Sequence, residues 1–352
     1  MASAANVAPR AYRCFRMNSP SPSVCERNPR TPHAYTAQSA STAEGMGRGE
    51  SAASYCPPER ASRDSTPMPQ RPSRRPRLVI FDLDGVVYRG LDPVPGAAQL
   101  ITGLHARRLQ VRYATNNSMA SREAYVERLI AMGVPASMHE IVTSTSATVG
   151  YLRHHLPDAR RILAVGSPAM IAELRGDGLE VTPAAELVGS GYRGESLATA
   201  VDAVVVGLDQ AYDYGRIAVA ATAVREGAAF IATNADLRYP TPRGFLPGAG
   251  SLVAAIRAAS GGVEPIVVGK PEPAIFAEIL EEAGVKPDAA VAIGDNPDAD
   301  IVAAHRSGIF SVLILTGVAD AATANALTGE RKPDAVAVDH AELGRLFEQW
   351  LS

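Results

Sequence analysis

Short apolar runs alternate with longer amphipathic stretches along the chain from residue 78 onward. Each run contains mainly aliphatic and β-branched residues, which is the pattern of a strand buried on both faces of a parallel sheet. The runs lie at residues 78–81, 111–114, 140–143, 161–166, 203–207, 230–233, 265–268, 290–293 and 310–315. Helices are predicted between them, for example from Ser121, a suitable N-cap residue, to Met132. This alternation predicts an α/β fold with a doubly wound parallel sheet.

The predicted strands and helices divide into two domains. Residues 77–157 and 248–352 are predicted to form one core domain in two halves. Residues 158–247 are predicted to form a smaller inserted α/β domain, because the segment is too long and too regular to be a loop. The segment Tyr239–Gly250, rich in proline and glycine, is predicted to be the hinge through which the chain returns to the core domain.

Residues 1–76 form an extension rich in serine, proline and arginine, without a sustained hydrophobic period, and are predicted to be disordered. Residues 1–77 contain twelve arginines, no lysine and five acidic residues, a formal charge of +7. Three interpretations remain open: a true translation start at Met46 or Met68, a genuine disordered tail, and an organellar transit peptide. The five acidic residues argue against the transit peptide.

The remainder of the chain is acidic, with 22 basic and 32 acidic residues and a formal charge of −10. Such a body is a poor binder of nucleic acid. All three cysteines, Cys14, Cys25 and Cys56, lie in the extension, so the folded body has no disulfide and no cysteine ligands for a metal. No uncharged apolar run approaches the roughly 18 residues of a membrane span. We therefore expect a cytoplasmic protein without a nucleic-acid or membrane partner; an organelle is the alternative if the extension is a transit peptide.

Polar residues follow four of the predicted strands. They are Asp82 and Asp84, Thr115 and Asn116, Lys270, and Asp295 with Asp300. Because the carboxyl ends of parallel strands lie at one edge of a sheet, these side chains are expected to converge. Clustered carboxylates repel one another unless a cation neutralises them, and a set of oxygen ligands suits Mg²⁺.

This combination of groups suits a phosphate ester. Asp82 could attack the phosphorus atom, and Asp84 could protonate the leaving oxygen and later activate water. Lys270 and Mg²⁺ could neutralise the developing charge, while Thr115 could hold a non-bridging oxygen.

The residues at these strand ends resemble the four motifs of the haloacid dehalogenase superfamily of phosphohydrolases. The motifs are Asp82-Leu83-Asp84-Gly85, Thr115-Asn116-Asn117-Ser118, Gly269-Lys270-Pro271 and Gly294-Asp295 with Asp300. The insert, with residues 204–209 and 230–236, resembles the subclass IIA branch, which includes p-nitrophenyl, phosphoglycolate, pyridoxal, sugar and nucleotide phosphatases. The resemblance covers roughly residues 77–345.

The resemblance implies a Rossmann-like core with a mobile cap domain, the inserted domain described above. It implies an aspartyl-phosphate on Asp82, general acid and base catalysis by Asp84, and a Lys270 that holds nucleophile and phosphate. Thr115, Asn116 and Asn117 would surround the phosphoryl group. It also implies Mg²⁺ as cofactor, held by Asp82, Asp84 through its backbone carbonyl, Asp295 and Asp300. Family members commonly dimerise through the cap domain, which makes a homodimer possible, but the sequence leaves the oligomeric state open.

The substrate itself is not identified by these motifs, because specificity lies in the cap domain. Asp236, Arg238 and Tyr239 could contact the leaving group there, or form a polar hinge. The predicted function is Mg²⁺-dependent hydrolysis of a small phosphorylated metabolite, such as phosphoglycolate, a sugar phosphate or a nucleoside monophosphate, with p-nitrophenyl phosphate as a model compound. A phosphotransferase and a non-catalytic sensor of phosphorylated metabolites are the alternatives.

Overall fold

The computed structural model describes residues 71–198, 200–241 and 244–352. The predicted disorder of residues 1–76 therefore lies outside the described residues, except for residues 71–76. These last six residues run along the core domain, where Pro76 is buried and Arg74 Nε lies 2.7 Å from Asp288 Oδ2. No helix in the described ranges is both long enough and apolar enough to cross a membrane.

The first half of the core domain alternates strands and helices as predicted. Its elements are β1 (Leu78–Phe81), β2 (Tyr88–Arg89), β3 (Asp92–Pro93), α1 (Ala97–Ala106), β4 (Gln110–Thr115), α2 (Arg122–Ala131), β5 (Ile141–Thr143) and α3 (Ser144–His155). The Ser121 side chain accepts a hydrogen bond from the Ala124 amide, so Ser121 is the N-cap of α2. Strands β2 and β3 form a small hairpin directly after the first two aspartates of the candidate site.

The cap domain follows without a break in the α/β alternation. Its elements are β6 (Arg161–Val165), α4 (Pro168–Gly176), β7 (Glu180–Pro183), α5 (Ala184–Gly189), β8 (Ala203–Val206), α6 (Tyr214–Arg225), β9 (Ala229–Ala232), β10 (Arg238–Thr241), β11 (Gly244–Pro247), α7 (Ala249–Ala259) and β12 (Ile266–Val267). Five of these strands form a parallel sheet in the order β12-β9-β8-β6-β7, and β10 pairs with β11 as an antiparallel hairpin.

The second half of the core domain completes the first sheet. Its elements are α8 (Ala274–Ala283), β13 (Ala290–Gly294), α9 (Val302–Arg306), β14 (Phe310–Ile314), α10 (Ala321–Ala326), β15 (Ala335–Ala337) and α11 (His340–Leu351), with one π-helical turn, Pro297–Ile301, before α9. The core sheet has the parallel order β15-β14-β13-β1-β4-β5. The prediction of an α/β fold with a doubly wound parallel sheet and an inserted α/β domain is confirmed.

Strand β1 lies in the middle of the core sheet and is buried on both faces. Val79 and Phe81 belong to one apolar cluster, whereas Leu78 and Ile80 belong to another. Alternate side chains of a strand point to opposite faces, so the continuous apolar run reflects a sheet that is covered on both sides. This central position directs the residues after Phe81 to the middle of the sheet edge.

The predicted return to the core domain at residue 248 is wrong. Helix α7 contributes Leu252 and Ile256 to the apolar cluster of the cap domain, and β12 pairs with β9, with Ile266 opposite Ile231. The segment Tyr239–Gly250 contains the β10–β11 hairpin rather than a hinge to the core domain. A helix followed by a strand has the same local pattern in both domains, so only the pairing of β12 decides to which sheet they belong.

Candidate active site

Lys270 connects the carboxylates of the candidate site. Its ammonium donates hydrogen bonds to Asp82 Oδ1 at 2.5 Å, Asp300 Oδ1 at 2.7 Å and the Ala114 carbonyl at 3.0 Å. Lys270 is almost completely buried. An ammonium has three donors, so all of them are used by the protein. Burial lowers the pKa of Lys270, but the charges of Asp300 and Asp82 outweigh that effect, so the net shift is upward and the lysine stays charged.

The prediction that Lys270 follows a strand of the core sheet is wrong. Lys270 lies beyond β12 of the cap sheet, where the Gly269 amide donates to the Thr233 carbonyl at 2.8 Å. The other three polar segments do follow core strands: β1 precedes Asp82, β4 ends at Thr115, and β13 ends just before Asp295. The candidate site is therefore assembled from the edges of two sheets.

Three of the predicted metal ligands lie together. Carboxylate oxygens of Asp82, Asp295 and Asp300 are within 4.8 Å of one another. Burial, and then the charge of Asp300, raise the pKa of Asp295 to about 7, and burial also raises the pKa of Asp82 well above its usual value despite the opposing charge of Lys270. Three crowded, partly desolvated carboxylates fit a hard divalent cation such as Mg²⁺, which prefers oxygen ligands. The Asp84 side chain is not part of this group within the described residues.

Glycines surround the Asp295 carboxylate so closely that larger residues would not fit. A Cβ atom on Gly317 would lie 1.8 Å from Asp295 Oδ2, and one on Gly85 would lie 2.2 Å from the same atom. Gly85 also has a φ of +80°, a conformation that glycine adopts without strain. The Val318 amide donates to Asp295 Oδ2 at 2.7 Å. These contacts fix the direction of one carboxylate of the cluster.

The Thr115-Asn116-Asn117 segment lies beside Lys270, but its side chains have different partners. Thr115 is buried, and its Oγ1 accepts a hydrogen bond from the Asn117 amide at 3.2 Å. Asn116 Oδ1 accepts from the Lys270 amide at 2.9 Å, and Asn116 Nδ2 donates to the Lys270 carbonyl at 2.8 Å. Asn117 Oδ1 accepts from the Met119 amide. The side chain of Asn116 therefore positions Lys270, and that of Asn117 stabilises a turn.

Asp84, the second aspartate after β1, is influenced by two positive charges. Desolvation raises the pKa of Asp84, while the charges of Arg128 and then Lys270 oppose the rise. The Gly85 amide donates to the Tyr88 carbonyl at 2.8 Å, which closes a tight turn after Asp84. Asp84 is therefore a weaker acid than a free aspartate, a direction that suits a proton donor.

The predicted cap residues are only partly brought to the site. Asp236 Oδ2 accepts a hydrogen bond from Asn116 Nδ2 at 3.1 Å, so Asp236 lies next to the Lys270 loop. Burial is the main cause of a raised pKa at Tyr125, and Tyr239 lies close enough to contribute to it. Arg238 instead lies over the Phe245 ring of the β10–β11 hairpin, 5.8 Å from its centroid.

Three residues outside the four motifs, Tyr88, Tyr125 and Arg128, form a cluster beside Asp84. The Arg128 guanidinium lies over the rings of both tyrosines, with its central carbon 5.4 Å and 5.8 Å from their centroids. Two signals were present in the sequence. Tyr88 follows shortly after the Asp-Leu-Asp-Gly motif, and Tyr125 and Arg128 are three positions apart, which places them on the same face of α2.

Two protein-family models match the chain. A model described as haloacid dehalogenase-like hydrolase matches residues 79–180, and a second model of hydrolases of the same type matches residues 267–343. The second match begins at the end of β12, where the chain leaves the cap sheet.

Curated and solved relatives extend over most of the described chain. An acid sugar phosphatase of Staphylococcus epidermidis is 35% identical over 239 residues, which is 68% of this chain and 86% of the relative. The structure of NagD from Escherichia coli K-12 has a TM-score of 0.67 and 30% identity, covering 76% of this chain and 98% of NagD. A glycerol phosphate phosphatase of Mycobacterium tuberculosis, solved in complex with magnesium, has a TM-score of 0.67 and 33% identity, covering 78% of both chains.

Proposed function

The chain belongs to the subclass IIA branch of the haloacid dehalogenase superfamily and is a phosphatase, and we propose that it hydrolyses small phosphomonoesters through an aspartyl-phosphate on Asp82 with Mg²⁺ as cofactor. Relatives named as an acid sugar phosphatase, a glycerol phosphate phosphatase and a p-nitrophenylphosphatase support a small substrate. The observation that carries the proposal is the contact between Lys270 and two carboxylates, Asp82 and Asp300, at the joint edge of the two sheets.

Asp82 is the proposed nucleophile because it combines a position at the end of the central strand with a direct ion pair to Lys270. The lysine favours the ionised form of the carboxylate, which burial alone would disfavour. The free Oδ atom would attack phosphorus, and the ester bond to the leaving oxygen would break. Thr115 ends β4, the strand next to β1, and its Oγ1 hydroxyl would donate to a non-bridging phosphoryl oxygen.

Asp84 is the proposed acid and base. It would first donate its proton to the leaving oxygen, which releases the alcohol. The resulting carboxylate would then accept a proton from water, which attacks the phosphorus atom of the aspartyl-phosphate and frees inorganic phosphate and Asp82. The raised pKa of Asp84 supports the first step, and the charge of Arg128 supports the ionised form needed for the second.

The carboxylates of Asp82, Asp295 and Asp300 would hold Mg²⁺, with the backbone carbonyl of Asp84 as a further ligand in the proposal. When bound, the cation supplies positive charge that neutralises phosphoryl oxygens and relieves the repulsion among these acids. Lys270 holds Asp82 and Asp300 in place through its hydrogen bonds to both carboxylates. The protein thus orients the nucleophile with both a fixed ammonium and a metal-binding cluster.

Phosphate release from p-nitrophenyl phosphate and from a panel of sugar, glycerol and nucleoside monophosphates tests this function, with and without Mg²⁺. We expect turnover that needs Mg²⁺ and is abolished by Asp82→Asn, together with acid-stable labelling of the wild type by ³²P from substrate. Turnover that survives Asp82→Asn would reject the nucleophile. A phosphotransferase would give more phosphoryl transfer to an added alcohol than to water, and a sensor would bind phosphate esters without turnover.

We also propose a cytoplasmic homodimer that associates through the cap domain. Leu237, Phe245 and Leu246 of the β10–β11 region are exposed, and an apolar surface of this kind is suited to contact with a second copy. Sedimentation velocity of the wild type and Phe245→Ser tests the association. A monomeric wild type would contradict it.

A further inference from the structure

Arg128 is a cation beside the candidate site whose hydrogen-bonding capacity is unused. It lies on α2, and its side chain is half-buried. Within the described ranges, its guanidinium forms no hydrogen bond and no ion pair; its contacts are with the rings of Tyr88 and Tyr125. Such cation–π contacts occupy none of the five N–H donors of the guanidinium. The guanidinium is therefore available to an acceptor from outside the protein.

The position of Arg128 relative to Asp84 identifies where that acceptor would lie. Arg128 covers Tyr88, which forms a backbone bridge with Asp84, and Tyr125, whose hydroxyl donates to the Asn117 carbonyl at 3.4 Å. Asp84 is the proposed donor of a proton to the leaving oxygen, so Arg128 borders the space that the released alcohol occupies. The Tyr88 hydroxyl belongs to the same cluster; it is fully buried and has no partner among the residues that the structure describes.

The other cation of the site is not available for this part of the substrate. All three donors of Lys270 bind Asp82, Asp300 and the Ala114 carbonyl. A guanidinium matches the flat, two-oxygen edge of a carboxylate better than an ammonium does.

We propose that Arg128 binds a second anionic group, such as a carboxylate, on the alcohol part of the substrate, and so selects compact phosphomonoesters that carry two negative groups. This inference rests on the proposed phosphatase function and names the substrate class of the same site. It makes Arg128 a specificity residue on the core domain rather than on the cap domain.

The test compares two substrates of nearly equal size, 2-phosphoglycolate and 2-hydroxyethyl phosphate. The first carries a carboxylate where the second carries a neutral hydroxymethyl group. We expect the wild type to prefer 2-phosphoglycolate at least tenfold in kcat/KM. Arg128→Met, whose side chain still covers the tyrosine rings, is expected to reduce this preference at least tenfold, mainly through a higher KM for 2-phosphoglycolate. Arg128→Lys keeps the charge without the flat donor pair and is expected to give an intermediate preference.

Arg107→Met is the matched control, because Arg107 is an exposed arginine that pairs with Glu348 on α11. It removes one positive charge and is expected to retain the wild-type preference. Arg128→Gln supplies a second neutral variant if methionine disturbs the packing on the tyrosines, and thermal melts verify the folding of each variant.

Two outcomes would overturn the inference alone: a wild type that hydrolyses both substrates equally well, or Arg128 variants that lose the same factor on both. The second outcome would mean that Arg128 only positions the Tyr88 turn. A wild type that hydrolyses neither substrate nor p-nitrophenyl phosphate in the presence of Mg²⁺ would reject the phosphatase mechanism itself, and the inference with it.

Discussion

Lys270 Nζ lies 2.7 Å from Asp300 Oδ1, although the lysine follows the last strand of the cap sheet and the aspartate lies in the π-helical turn after β13 of the core sheet. The two domains are therefore linked at the candidate site by a buried ion pair, in addition to their covalent connections. The lysine loop is held in turn by Asn116, which binds both polar groups of the Lys270 backbone. Movement of this part of the cap domain relative to the core domain would displace the lysine from the nucleophile.

Replacement of Lys270 by methionine is expected to impair both stability and turnover. It leaves Asp82 and Asp300 buried without their shared cation, which destabilises the fold by about 3–5 kcal/mol in the absence of Mg²⁺. We expect turnover to fall at least a hundredfold. Urea denaturation and p-nitrophenyl phosphate kinetics measure the two effects. Lys332→Met, at an exposed position, is the control; equal effects of the two substitutions would contradict the assigned role of Lys270.

Removal of the divalent cation is expected to lower the melting temperature, because the carboxylates of Asp82, Asp295 and Asp300 then repel one another. Adding Mg²⁺ to EDTA-treated protein should raise the melting temperature, and Asp295→Asn should abolish most of that increase by removing one ligand. Asp298→Asn is a close control, since Asp298 is exposed and pairs with Arg331. A shift that persists in Asp295→Asn would place the cation elsewhere. Differential scanning calorimetry provides the measurement.

Gly317→Ala is expected to reduce turnover strongly without a large change in secondary structure. The added methyl group would lie 1.8 Å from Asp295 Oδ2, so the carboxylate must turn away from its hydrogen bond with the Val318 amide. Magnesium titrations followed by activity and by calorimetry should show weaker binding, about tenfold or more. Gly103→Ala, in the open middle of α1, should instead stabilise the protein by about 0.5–1 kcal/mol. Normal magnesium affinity in Gly317→Ala would contradict the tight packing.

His340 is expected to make the fold less stable in acid. It is buried at the start of α11, and neither ring nitrogen has a partner among the described residues; burial lowers the pKa of His340 to about 4 despite the charge of Asp339. The folded state therefore favours the neutral ring. The unfolded state takes up a proton on this histidine at a higher pH than the folded state does, so protonation lowers the free energy of unfolding. For a pKa that falls from 6.5 to about 4, this loss is at most about 3 kcal/mol; it is absent above pH 6.5 and grows as the pH falls towards 4.

His340→Phe should remove this loss, so its free energy of unfolding should fall less steeply than that of the wild type between pH 6.5 and 4. His155→Phe, at an exposed position that also contacts Tyr151, is the control and should retain the wild-type slope. Urea denaturation at a series of pH values gives both slopes. Identical slopes for the wild type and His340→Phe would show that the buried ring does not titrate over this range.

The amino-acid sequence by itself determined most of the buried strands and the order of the chemically active residues along the chain. A short apolar run such as Leu78–Phe81, rich in β-branched residues, favours a strand buried on both faces, and the abrupt change to Asp82 and Asp84 marks its carboxyl end. These properties depend on neighbouring residues along the chain, so the positions of Asp82, Thr115, Lys270 and Asp295 next to strands were all predictable.

The tertiary structure decided which of these elements meet. Pairing of β12 with β9 places Lys270 at the end of the cap sheet, and the same lysine nevertheless contacts Asp82. The side-chain amide of Asn116 forms hydrogen bonds with the Lys270 backbone. The Arg128 guanidinium lies over the rings of Tyr88 and Tyr125. Each of these contacts joins residues far apart in the chain or depends on the direction of a side chain. Local hydrophobic patterns carry no information about either, because the choice among sheet edges and rotamers is made by long-range packing.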